Sequence, residues 1–163
     1  TIRELINLLE SNTIAKLPSS VNLDNHMRDQ IKTLKSDDLD FEQINDSSPI
    51  ELKVLFPWGN DLSKGISFSI QVIQNKLFQT HINIVSELQH MGLGYKIYEA
   101  FIKTYGHIYS GNGRRHNNSE IPKIYSKLSA NSDIEYYESD LGILCVYKNN
   151  PDKENIIKQF RNE

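Results

Sequence analysis

The sequence has few of the features that mark secreted, membrane-spanning or nucleic-acid-binding proteins. Its single cysteine, Cys145, cannot form an internal disulfide, which favours a reducing compartment. No apolar run approaches the roughly 18 residues that a membrane-spanning helix needs, and residues 1–5 lack the layout of a signal peptide. The formal net charge of -3 provides no general attraction to nucleic acid or anionic lipid. These absences predict a cytoplasmic protein with no membrane partner and do not favour a nucleic-acid partner.

The composition and the hydrophobic patterns predict one α/β (α+β) domain over residues 1–163. Hydrophobic residues make up 38% and charged residues 24% of the chain, which is typical of a globular protein. Apolar spacing predicts helices and strands in alternating groups. The predicted helices are 1–12, 22–34, 93–105, 119–129 and a tail helix opened by Asn150 and Pro151, and the predicted strands are 51–56, 65–74, 77–85, 107–110, 133–138 and 142–148.

A strand, a glycine-containing turn and a helix follow one another in residues 77–105, and the turn, residues 86–94, is called the glycine elbow below. Gly92 and Gly94 lack Cβ atoms, so a ligand can approach their backbone closely. The first N–H groups of a helix have no intrahelical partner and carry partial positive charge. This arrangement predicts an anion site that suits a pyrophosphate.

Two common phosphate-binding motifs do not fit the glycine elbow. A P-loop would place Lys and then Ser or Thr directly after the last glycine, but Tyr95 and Lys96 follow Gly94. A dinucleotide fingerprint requires a third glycine, which is absent. The pattern that remains is Gln89-x-x-Gly92-x-Gly94, with the aliphatic Ile84 five residues upstream.

This pattern resembles the Gln/Arg-x-x-Gly-x-Gly/Ala signature of the GNAT superfamily of acyl-CoA N-acyltransferases. A second match lies downstream, where Asn118, Tyr125 and Lys127 keep the spacing of the family's Asn-x-x-(Ala)-x-x-x-Tyr-x-Lys motif. The sequence departs from that motif at Ile121, which stands in the alanine position, and at 128–130, where Leu-Ser-Ala replaces Gly-Phe. The two motifs and the order of elements cover about residues 81–148.

The resemblance implies a mixed, mostly antiparallel central sheet flanked by helices, with acetyl-CoA as co-substrate. It implies a divergent acceptor half at 1–80, an acyl-CoA-binding half at 81–148 and a C-terminal helix at 149–163. The elbow amides would bind the pyrophosphate, the end of the preceding strand would bind the pantetheine arm, and an arginine pair would reach a terminal phosphate. The implied cofactor-binding residues are Ile84, Val85, Ser86, Gln89, His90, Met91, Gly92, Leu93, Gly94, Arg114, Arg115 and Asn118.

The resemblance also implies two catalytic roles. Tyr125 occupies the family position of the general acid, and a phenol can return a proton to a forming thiolate. Glu87, at the end of the strand, is the preferred candidate for the general base that deprotonates the amine. His81 and His116 have more suitable unperturbed pKa values, but the spacing does not place them.

Several alternatives stay open from the sequence. The same motifs fit a domain that binds CoA or acyl-CoA without catalysis. Arg114 and Arg115 are either solvated or, together with the glycine elbow, part of an anion- or RNA-binding surface. The acidic run at 36–48 is interpreted as a solvated loop or as an attraction for a cationic amine. Trp58 is either a loop aromatic or a lip over the acceptor pocket. The acceptor amine is not identified, and a homodimer through the closing strand pair is a further alternative.

Overall fold

The fold is a seven-stranded sheet with helices packed around it. The computed structural model describes Ile2 and residues 16–19, 21–59, 61–110, 120–140 and 142–162. The elements of these ranges are α1 (Asn25–Thr33), β1 (Asp40–Gln43), β2 (Ile50–Leu55), β3 (Ile66–Ile73), β4 (Lys76–Ile84), α2 (Leu93–Tyr105), β5 (His107–Ser110), α3 (Glu120–Ser129), β6 (Ile134–Ser139), β7 (Gly142–Tyr147) and α4 (Lys153–Arg161). Short 3-10 turns lie at Ser36–Asp38, Asp61–Gly65 and Ser86–Leu88.

The sheet has the strand order β1-β2-β3-β4-β5-β7-β6. Every neighbouring pair is antiparallel except β4 and β5, which run parallel and are joined by α2. A parallel connection needs a crossover of this length, and a helix supplies it. The predicted α+β fold with a mixed, mostly antiparallel sheet is therefore confirmed.

The predicted elements agree with the structure where local signals are strong. The helix at 93–105 and the strand at 107–110 have the predicted bounds. Gly106 ends α2 in the left-handed region, with φ of 99°, as a C-cap glycine does. The β3–β4 hairpin is also confirmed, but its two turn residues are Gln74 and Asn75, both with positive φ, one residue earlier than predicted.

The interpretation of residues 36–48 as a solvated loop is wrong for the middle of that segment, residues 40–43. Asp40–Gln43 forms β1, which pairs with β2 through the Phe41–Val54 register. Acidic residues are depleted in strands, but only Phe41 of β1 turns inward. Its ring packs against Phe68 and Phe101, with centroids 6.2 and 5.9 Å away. The tertiary contacts of one aromatic side chain outweigh the local propensity of its neighbours.

The tail helix begins later than predicted. α4 starts at Lys153 with Asp152 as its N-cap residue, so Asn150 is not the cap and Pro151 lies in the preceding turn. Asn150 instead donates from Nδ2 to the Gly106 carbonyl at 3.1 Å. The predicted N-terminal helix, residues 1–12, lies outside the described residues except for Ile2. No helix in the described part of the chain is long and apolar enough to cross a membrane.

Candidate functional site

The central strand of the sheet is incompletely covered. No residue of β4 is fully buried, whereas all four residues of β5 are. In the described residues β4 meets β5 only at the Phe78–Tyr109 register, and the following part of β4 has β3 as its only strand partner. Among the described residues β5 ends at Ser110, one residue beyond this pair, so the later part of β4 has no residue of β5 beside it.

A cleft of about 360 Å³ lies at this end of β4, where the strand, the glycine elbow and α3 meet. Its size is in the range of small-molecule sites. It is lined by Ile82, Asn83, Ile84, Leu88, Gln89, His90, Gly92, Leu93, Gly94, Tyr95, Ile121, Lys123, Ile124 and Lys127. Six of the predicted cofactor-binding residues are thus brought together here: Ile84, Gln89, His90, Gly92, Leu93 and Gly94.

The glycine elbow leaves backbone donors at the start of α2. Gly92, the N-cap residue, has φ of 74°, and His90 has φ of 65°. The first backbone bond of the helix runs from the Lys96 N–H to the Gly92 carbonyl at 3.3 Å. In the described residues, the N–H groups of Leu93, Gly94 and Tyr95 have no backbone acceptor. The elbow can therefore donate several hydrogen bonds to an anion.

The two glycines of the elbow have different structural roles. A Cβ atom on Gly92 would meet nothing within 4 Å, so its left-handed conformation is what favours glycine there. A Cβ atom on Gly94 would come within 3.0 Å of Ile124 Cδ1 and 3.6 Å of Ile84 Cδ1. Gly94 therefore allows the start of α2 to pack closely against α3, which the sequence did not indicate.

The end of β4 presents backbone groups on the side away from β3. The Val85 N–H donates to the Gly65 carbonyl at 2.9 Å, so Val85 faces β3. Opposed residues in an antiparallel pair alternate in direction, so the backbone groups of Ile84 and Ile82 face the other side. The Ile84 carbonyl already accepts from Gln89 Nε2 at 2.7 Å. This hydrogen bond connects the elbow to the strand and gives the Gln89 side chain a structural role.

Three predicted cofactor-binding residues lie outside the lining of the cleft. Val85 uses its amide within the sheet, Ser86 is exposed in the 3-10 turn, and the Met91 side chain is buried in the core. The loop residues Arg114, Arg115 and Asn118 lie outside the described residues.

Two lysines on α3 line the cleft and were not predicted as site residues. Lys123 and Lys127 are one helical turn apart, and both side chains are exposed. The Lys127 ammonium lies 6.0 Å from the centre of the Tyr95 ring. Their positive charges add to that of the α2 N-terminus. The i, i+4 spacing was visible in the sequence, but it did not reveal which face of α3 turns toward the elbow.

Tyr125 is only 3% exposed and is not among the residues that line the cleft. Its hydroxyl donates to Gln79 Oε1 on β4 at 3.3 Å, and its ring packs edge-on against Tyr98 at 5.7 Å. Burial raises the pKa of the Tyr125 phenol well above its ordinary value. The phenol is therefore a weaker acid than an exposed tyrosine, which makes proton transfer to a thiolate less favourable.

The bulge in β4 places Gln79 next to Tyr125. Ser69 pairs with His81 and Ile70 pairs with Gln79, so Thr80 is the extra residue. The Thr80 hydroxyl donates to the Ser69 carbonyl at 3.0 Å. The bulge therefore follows closely after Phe78, the residue of β4 that pairs with Tyr109 of β5.

The candidate bases lie at different points around the end of β4. Glu87 is exposed in the 3-10 turn and contacts Ser86 Oγ at 3.5 Å, and it does not line the cleft. His81 is exposed on β4, next to the bulge. His116 lies outside the described residues.

Lys96 has a structural role one turn into α2. Its ammonium donates to the Ile31 carbonyl at 2.9 Å and to the Lys32 carbonyl at 2.7 Å, near the C-terminus of α1. Partial burial lowers the pKa of this lysine. Lys96 therefore joins α2 to α1.

Comparison with known proteins provides no relative on which to base a function. No protein-family model matches the chain, and a search of curated proteins finds no match.

Proposed function

We propose that the protein is an N-acyltransferase that moves an acyl group, most simply acetyl, from coenzyme A to an amine. The observation that carries the proposal is one cleft lined both by the N-terminus of α2 and by the end of β4, which has no β5 residue beside it among the described residues. The resemblance of the Gln89-x-x-Gly92-x-Gly94 elbow to the GNAT signature supports it as well. The chemical identity of the amine is left open.

The cleft has the donors that a CoA-type substrate needs. The amides of Leu93 to Tyr95, which have no backbone acceptor in the described part of the chain, suit a pyrophosphate, and Lys123 and Lys127 lie nearby. The backbone of Ile82 and Ile84 suits the amide groups of a pantetheine arm, which can pair with a strand in the way that another strand does. The cleft therefore presents amide donors at the elbow and the backbone groups of a strand toward the middle of the sheet.

Acyl transfer needs a polarised carbonyl, a deprotonated amine and a proton for the leaving thiolate. Tyr125 would give a proton to the sulfur as the C–S bond breaks; its hydroxyl, which donates to Gln79 at 3.3 Å, would have to turn to the sulfur for this step. The amine would lose its proton to a base as the new C–N bond forms. Glu87 remains the first candidate for that base and His81 the second.

A second candidate function is binding of CoA or acyl-CoA without catalysis. The burial of Tyr125 favours this alternative, because a phenol that is 3% exposed and already bonded to Gln79 can serve as a core residue. A binding module would keep the elbow and the two lysines of α3. It would also retain CoA affinity after Tyr125 is replaced.

Titration of CoA into the protein, followed by an assay of thiol release from acetyl-CoA with a panel of amines, tests both functions. We expect saturable CoA binding that weakens about tenfold, or about 1.4 kcal/mol, when Lys123 and Lys127 are both changed to Gln. Lys158→Gln, a charge change on the exposed face of α4, is the matched control and should leave CoA affinity unchanged.

The outcomes separate the candidates clearly. Binding with amine-dependent thiol release supports the acyltransferase. Binding without thiol release for any amine supports the non-catalytic module. Absence of CoA binding, or equal weakening by Lys158→Gln, would refute both functions.

A further inference from the structure

The strand β1 forms one edge of the sheet, and we propose that it binds an extended basic segment of another protein as an added, antiparallel strand. In the described part of the chain, β1 pairs with β2 and with no other strand. A strand edge recruits an extended segment through its backbone groups, and the side chains beside them select the sequence. The expected segment alternates lysine with an apolar residue. The proposal does not depend on acyl transfer.

The register of β1 shows which of its backbone groups face outward. The Ile44 N–H donates to a carbonyl of β2 at 2.9 Å, so the backbone of Ile44 faces β2. This direction alternates along an antiparallel strand, so the backbone groups of Phe41 and Gln43 face outward. The Phe41 N–H is already bonded to Asp40 Oδ1 at 2.8 Å. Among the described residues, the Phe41 carbonyl and both backbone groups of Gln43 are therefore left for an added strand.

The exposed face of β1 carries two carboxylates at alternate positions. Asp40 and Glu42 are both exposed, and residues two apart in a strand point to the same face. Lys53 lies opposite Glu42 on β2, but in the described ranges neither carboxylate has a lysine or an arginine within ion-pair distance. Two lysines separated by one residue on an added strand would lie directly opposite the two carboxylates. The edge therefore favours a basic segment.

The position between the two carboxylates has an apolar surface beside it. Phe41 points to the other face of β1, and its ring lies 5.9 Å from the ring of Tyr105 at the end of α2. Tyr105 is 41% exposed. Partial burial, together with the nearby Asp40 carboxylate, raises the pKa of Tyr105, in keeping with a phenol close to this edge. An apolar side chain opposite Phe41 would cover the exposed part of the Tyr105 ring.

The expected segment does not come from a second copy of this chain. Two β1 strands paired edge to edge would bring the carboxylates of one copy against those of the other, and like charges directly opposite each other are destabilising. The sequence also contains no two Lys or Arg residues separated by a single residue. The partner is therefore a different protein with an alternating basic and apolar segment.

An NMR titration of the ¹⁵N-labelled protein with short peptides tests the added strand. Acetyl-Thr-Lys-Val-Lys-Thr-amide carries two lysines with an apolar residue between them. A second peptide replaces both lysines with glutamate, and a third, acetyl-Thr-Val-Lys-Lys-Thr-amide, keeps the composition but loses the alternation. We expect saturable shifts centred on β1 with the first peptide, including a downfield shift of the Gln43 amide proton as it gains an acceptor. Affinity should be about tenfold weaker for the glutamate peptide and about threefold weaker for the rearranged one.

Two variants assign the contribution of the carboxylates. The double variant Asp40→Asn with Glu42→Gln keeps the side-chain shapes and an acceptor for the Phe41 amide, and it should lose the preference for the lysine peptide over the glutamate peptide. Glu138→Gln is the matched control, because it removes an exposed carboxylate from β6, the strand at the opposite edge of the sheet. This control should keep the preference.

The wild-type titration decides the proposal even if the double variant fails to fold. Absence of saturable binding of the lysine peptide, equal affinities for the three peptides, or shifts centred on β6 instead of β1 would overturn it. Because the titration contains no CoA, such a failure would leave the proposed acyltransferase function unaffected.

Discussion

Replacing Gly94 with alanine should bring a Cβ atom at the start of α2 into close contact with the Ile124 side chain. The added Cβ would lie 3.0 Å from Ile124 Cδ1, closer than such atoms normally approach. Gly94 is the second residue of α2, so the backbone itself accepts alanine. The Ile124 side chain, on α3, must therefore move by a few tenths of an ångström.

Two opposing terms determine the effect on stability. Alanine in a helix is favoured over glycine by about 0.5–1 kcal/mol. Overpacking of a tight contact costs about 1–3 kcal/mol, and the low end applies because the atom that must move ends a flexible side chain. The two terms nearly cancel, so we expect Gly94→Ala to lower the free energy of unfolding by about 0.5 kcal/mol or less.

A double-mutant cycle isolates the contact. Ile124→Val removes Cδ1, so the alanine would no longer be crowded, and the double variant should be about 1 kcal/mol more stable than the sum of the single changes predicts. Urea denaturation followed by circular dichroism measures each corner of the cycle.

Gly92→Ala is the control. It should cost about 1–2 kcal/mol through its left-handed φ and show no coupling to Ile124. Additivity of Gly94→Ala and Ile124→Val within about 0.3 kcal/mol would refute the packing explanation.

Three further predictions concern single side chains. Tyr125→Phe should lower the turnover of acyl transfer more than it changes CoA affinity, and unchanged turnover in steady-state kinetics would count against its acid role. Lys96→Met should lower the free energy of unfolding by about 1–2 kcal/mol, because two carbonyls at the end of α1 lose a charged donor; a urea midpoint equal to that of wild type would contradict this. His107 accepts the Leu77 N–H at 3.2 Å, and burial lowers the pKa of the imidazole. Its contribution to stability is therefore full above the unfolded pKa of about 6.5 and is lost as the pH falls below it, so His107→Gln should flatten the pH dependence of the urea midpoint in that range.

Local patterning was enough to identify the elements that surround the elbow. The bounds of α2 follow from its apolar stripe and from Gly106, which ends it in the left-handed region. The β3–β4 hairpin follows from alternation on both sides of a polar turn. The burial of Cys145, whose thiol has a pKa raised to about 12, follows from its apolar neighbours in β7. These features depend on residues close together in the chain, so their signals are present in the sequence itself.

Tertiary packing decided the features that depend on distant residues. The acidic segment at 40–43 forms a strand because Phe41 packs against Phe68 and Phe101. These two residues lie far along the chain, so the local sequence does not indicate the contact. Position 94 favours glycine because the Ile124 side chain packs against it, and Tyr125 is buried against Tyr98. Both contacts exist because α2 and α3 pack together. The later part of β4 has no β5 residue beside it in the described ranges, because β5 ends there at Ser110. Periodicity shows which face of an element is apolar, but it does not specify which other element that face will contact.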